Sequence, residues 1–91
     1  MFHVLTITYL QPLEVIDQAR PAHVAWLNEE VAAGRIVLSG RQESLTGGVL
    51  VTGDISVEEA QDVMDRDPYR EAGLVRYDRL SFGRGICAPG L

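Results

Sequence analysis

Apolar and polar positions alternate along the first stretch of the chain and then change to a longer period. Phe2 to Tyr9 is rich in aromatic and β-branched residues and reads as a strand. Phe2, Val4, Thr6 and Thr8 take one face; His3, Leu5, Ile7 and Tyr9 take the other. Both faces carry apolar side chains, so the strand is expected to be covered twice, by helices on one side and by something else on the other. From about Leu13 to Ala33 the period is helical, and Ile16, Ala19, Arg20, His23, Leu27 and Val31 share one arc flanked by Val24 and Trp26. Gly34 is placed to cap that helix. Pro21 either kinks a continuous helix or, the reading the sequence favours, opens a main helix that follows a short one.

The pattern then shortens again. Arg35 to Ser39 predicts a second strand with Ile36 and Leu38 on one side, and Gly47 to Thr52 a third. Glycines at 47, 48 and 53 point to close backbone passage or a bulge. Ser56 with Glu59 three residues on is a capping-box start for a helix that buries Val57, Ala60 and Met64 and ends near Asp65. Pro68 disfavours helical geometry at Asp67, so Asp67 sits at a fixed corner before one more turn over Pro68 to Ala72. Leu74 to Phe82 alternates as the last strand, leaving residues 84–91 as a tail after a single domain over 1–83. The order βαββαβ predicts an α+β, ferredoxin-like domain, a four-stranded antiparallel sheet with helices on one face. The uncovered face calls for a partner, and a second copy of the chain is the simplest one.

Composition narrows the function. Ninety-one residues support one core. The formal charge is −5, with eight arginines in no basic cluster, which argues against a nucleic-acid module. No stretch is long and apolar enough for a membrane span, and the start lacks a basic leader. The single cysteine, Cys87, fits a reducing compartment, so a cytoplasmic protein is expected, and nothing beside Cys87 marks it as a nucleophile. There is no phosphate loop and no close ligand pair, so neither a nucleotide cofactor nor a metal is expected. His23, in the middle of the apolar arc, is either a neutral core residue with a hydrogen-bond partner or the floor of a pocket.

Taken together, Arg20-Pro21-x-His23, Trp26-Leu27, Gly34, Gly40, Asp67-Pro68-Tyr69, Gly73 and Phe82 resemble the YCII-related (YciI-like) family of the dimeric α+β barrel superfamily. The resemblance implies that His23 and Asp67 face one cleft as a catalytic pair, and that the chain forms a homodimer closing a barrel. It also brings in a relative associated with removing chloride from a chlorinated aromatic breakdown product. Two departures bear on the pocket, not the fold. Arg41 stands where many members have proline after the glycine, and the excursion before the third strand is short. Asp67 bonded to one ring nitrogen of His23 leaves the other as a base, which suits proton abstraction beside a carbonyl or enol. Arg20, one turn earlier, is placed to hold a carboxylate or enolate, with Tyr9, Ser39, Arg41 and Tyr69 as further lining. The expected function is a cofactor-independent lyase or isomerase acting on a small organic acid. The alternative is a non-catalytic ligand-binding or dimerising module using the same cleft.

Overall fold

The computed structural model describes residues 1–90; Leu91, the last residue of the expected tail, lies outside the described residues. Strands β1 (Phe2–Tyr9), β2 (Ile36–Arg41), β3 (Gly47–Thr52) and β4 (Val75–Phe82) form one antiparallel sheet in the order β2-β3-β1-β4. Helices α1 (Leu13–Ala32), α2 (Val57–Asp65) and the short α3 (Pro68–Glu71) complete an α+β, ferredoxin-like fold. Residues 83–90 carry neither helix nor strand and are exposed.

β1 explains the layering. His3, Leu5 and Ile7 are buried beneath the helices, where Leu5 and Ile7 meet Ile16, Trp26, Leu50, Val63, Tyr69 and Val75 in the core. The opposite face is bare. Leu38, Val51, Val4 and Leu80 line up across all four strands, and Phe2 packs on Phe82 beside them with ring centroids 5.9 Å apart. Leu38 and Leu80 are about two-thirds exposed, at 65% and 67%.

α1 is one continuous helix through Pro21, not the two segments the sequence favoured. Pro21 and Asp17 are both exposed, so the Asp17 carbonyl that loses its helical partner can turn to water. Gly34 closes the helix at φ 77°, a left-handed position that glycine occupies without strain. Glu30 is buried and is satisfied by a two-pronged pair with Arg35, at 2.6 and 2.7 Å; Arg35 then reaches Asp62 of α2 at 2.8 Å. Ser56 and Glu59 form the expected capping box. Val57, expected inside, is exposed at the first helical position; Ala60, Val63 and Met64 make the buried stripe instead.

A third correction concerns β2. Ile36 is buried, yet Leu38 faces out, because the register slips by one residue between them. Ile36 stands opposite Thr52, but Leu38 stands opposite Val51, leaving Val37 as the extra residue of a bulge. From there onward every side chain of β2 has changed face. Gly47 shows the close backbone passage: an added Cβ would lie 1.8 Å from the carbonyl oxygen of Ile7.

Candidate functional site

Two turns of chemistry meet between α1 and α3. Asp67 caps α3, and its Oδ1 accepts the Tyr69 backbone N–H at 2.9 Å. The same oxygen lies 2.7 Å from Nδ1 of His23, across 44 residues of sequence. Asp67 Oδ2 accepts the Tyr77 hydroxyl from β4 at 2.5 Å. Asp67 is fully buried, so three donors satisfy the carboxylate where water does not reach. An ionised carboxylate only accepts; Nδ1 of His23 therefore carries the proton in the neutral ring, and Nε2 has its lone pair. Nε2 makes no hydrogen bond among the described residues.

The ring is held on both sides. It stacks on Tyr69 at 3.9 Å and 9°, and Trp26 leans against it at 5.4 Å and 43°. His23 is nonetheless part of the wall of a cleft of about 260 Å³ between α1 and the β1–β3–β2 edge of the sheet. Tyr9, Arg20, Ser39, Arg41 and Tyr69 line that cleft with it, and Asp67 stands behind the His23 ring, off the cleft wall. Ser39 and Arg41 reach it because of the Val37 bulge, which turns them to the helix side opposite Leu50 and Gly48.

Charge is unevenly committed inside the cleft. Arg41 donates to Asp17 at 2.5 Å and to the Tyr9 hydroxyl at 3.1 Å, and so straps β2 to α1 across one side of the mouth. Arg20 forms no ion pair among the described residues. The Tyr69 hydroxyl is buried and, among the described residues, makes no hydrogen bond of ordinary geometry. Burial pushes that phenol up, with Tyr9 adding, while Arg20 and Arg41 are near enough to oppose it. Trp26 Nε1 is the other buried polar atom without a partner among the described residues.

The profile of the YCII-related domain matches residues 1–80. The chain belongs to the YCII-related family. A 12 kDa protein of Mycolicibacterium smegmatis is 75% identical to this YCII-related chain over 24 residues, 26% of the chain and all of that sequence. Among solved structures, the chain resembles 5-chloro-2-hydroxyhydroquinone dehydrochlorinase from Burkholderia phenoliruptrix, determined in complex with 2,5-dihydroxybenzoquinone. The TM-score is 0.77 at 23% identity, covering 93% of this chain and 96% of that one, a likeness of fold.

His3, the second histidine, stands apart from the cleft. Its Nε2 donates to the Ile55 carbonyl at 3.0 Å and its Nδ1 faces the Ser81 hydroxyl at 2.7 Å, so both nitrogens are occupied. Tyr77 is the site neighbour that sequence reasoning missed. The alternation of β4 put it on one face with Val75, but nothing in the pattern paired it with Asp67.

Proposed function

We propose that this YCII-related protein is a small lyase or isomerase that moves a proton on a small hydroxylated or carboxylated organic acid. His23 Nε2 takes the proton, Asp67 holds the ring in the tautomer that leaves Nε2 free, and Arg20 pairs with the carboxylate or enolate oxygen. The observation that carries this is the 2.7 Å bond from buried Asp67 to the back of a histidine that walls a cleft. A buried acid behind a histidine stabilises the imidazolium formed when Nε2 accepts a proton. The proton transfer itself asks for no cofactor. Removing a proton beside a carbonyl leaves an enolate, which either expels a leaving group from the adjacent carbon or regains the proton elsewhere.

The cleft suits a small ligand, since pockets for larger ones run to about 300–1,000 Å³. Its aromatic wall of Tyr9 and Tyr69 and the unpartnered Tyr69 hydroxyl favour a hydroxylated six-membered ring. The dehydrochlorinase of the same fold, with its bound dihydroxybenzoquinone, supports that class of substrate. The bare sheet face supports a second part of the reading, a homodimer joined through Leu38, Val4, Val51 and Leu80.

The test is turnover of a panel of small acids and halogenated hydroquinones by wild type and His23→Ala. Loss of the base is expected to lower the rate by about 10²–10⁴-fold while the protein stays folded. Equal rates from the two folded proteins would reject catalysis by His23 and leave the cleft as a binding site only.

A further inference from the structure

We infer that Tyr77 is a positioning residue for the His23–Asp67 pair, its hydroxyl occupying Asp67 Oδ2 so that Oδ1 is kept for the imidazole. The inference rests on reading that pair as the acid–base centre. Its geometry is independent of any substrate. Asp67 is fully buried, and its two oxygens meet three donors from three elements: His23 on α1, Tyr69 N–H on α3 and Tyr77 on β4. The backbone donor and Tyr77 together fix the carboxylate plane, leaving His23 the remaining place on Oδ1.

Tyr77 has a second property. It also walls an open groove on the far side from the cleft, with Gln61, Arg70 and Arg79 beside it. A hydrogen-bonded chain therefore runs from cleft to groove through His23, Asp67 and Tyr77. Burial and the Asp67 charge push the Tyr77 phenol far above its ordinary range and keep it a donor in that chain. The hydroxyl also draws charge from Asp67, which weakens the hold of the carboxylate on the imidazolium and lets His23 release its proton again.

The titratable and charged groups around the pair are Arg20 on α1, Tyr69 and Arg70 on α3, Tyr9 on β1 and Arg41 on β2. Tyr77→Phe leaves all of them in place and removes only the donor. The experiment follows the His23 ring by NMR against pH in ligand-free wild type and Tyr77→Phe. The midpoint in the variant is expected to lie higher, because Asp67 then bears its charge undiluted. A midpoint that does not move, in a folded variant, overturns the inference: Tyr77 is then only a brace between β4 and α3. For a variant that does not fold, a fluorotyrosine at position 77 keeps the bond and makes the hydroxyl a stronger donor. The His23 midpoint is then expected to fall, and an unmoved midpoint overturns the inference. Neither result depends on turnover, so failure of His23→Ala to lose activity would sink the acid–base reading without being confused with failure here.

Discussion

His23 and Asp67 show how much one side chain's meaning depends on its neighbours. The helical arc placed His23 among apolar residues but left it as core or pocket floor. The structure has both: a ring packed on Tyr69 and Trp26 with one edge in a cleft. Residue-by-residue chemistry could not join it to Asp67, 44 positions away; the family resemblance did. Arg20 was legible from spacing alone, since it stands one turn before His23 on the same arc. Because no acid engages it among the described residues, Arg20→Ala is expected to raise KM about tenfold and lower kcat less, on whatever acid the protein turns over. Steady-state kinetics checks this, and an unchanged KM would remove Arg20 from the ligand's path. Tyr77 supplies a pH prediction that needs no substrate. Its phenol is raised in the fold, so the unfolded chain gives up its proton first as pH climbs past about 10. Above that point the unfolded state binds fewer protons, and stability, full at lower pH, falls. Tyr69 is shifted the same way, again chiefly by burial. Urea midpoints at about pH 8 and 11 should therefore drop for wild type and drop less for Tyr77→Phe; equal drops would contradict the burial argument.

At the level of elements, the alternating and helical periods read all four strands and the two main helices from the chain. They failed where a local event changes phase. Strict alternation put Leu38 with Ile36, and only the paired register shows that Val37 is extra. The same reasoning misjudged Val57, whose place in the first turn of α2 lies outside the stripe of Ala60, Val63 and Met64. Nor does the helical period single out Glu30, whose burial depends on Arg35 arriving from beyond Gly34. The bulge yields a sharp expectation. Deleting Val37 should remove the bulge and leave the pairing intact, with Ile36 opposite Thr52, Leu38 opposite Val51, and Ser39 and Arg41 still on the helix side. The bonds from Arg41 to Tyr9 and Asp17 are then kept. Amide and side-chain NMR contacts of this arginine check the expectation; an arginine that has left Tyr9 in the shortened chain would mean that Val37 is not the extra residue.

For the whole molecule, the sheet has one face that its own helices do not reach. The sequence showed that β1 was apolar on both sides, and the structure identifies the bare side as that of Phe2 and Val4. A row of aliphatic side chains across four strands is worth about 25 cal/mol for each Å² withdrawn from water, which favours a mate that is itself flat and apolar. Sedimentation equilibrium at micromolar concentration should give twice 10.0 kDa. Leu80→Glu, at a position already 67% exposed, should give 10.0 kDa with the helical circular dichroism unchanged. A wild type that stays at 10.0 kDa would leave the face unexplained.

Asp67 serves the backbone of α3 and the ring of His23 with the same oxygen. A gene copy released from selection for chemistry would still be penalised for losing it, because α3 would lose its cap. A phenylalanine could reproduce the packing of His23 on Tyr69 and Trp26, though not its bond to buried Asp67. On the proposed function, an aspartate at this corner is kept by the α3 cap as well as by the chemistry, and the residue opposite it is the better record of whether proton transfer is retained.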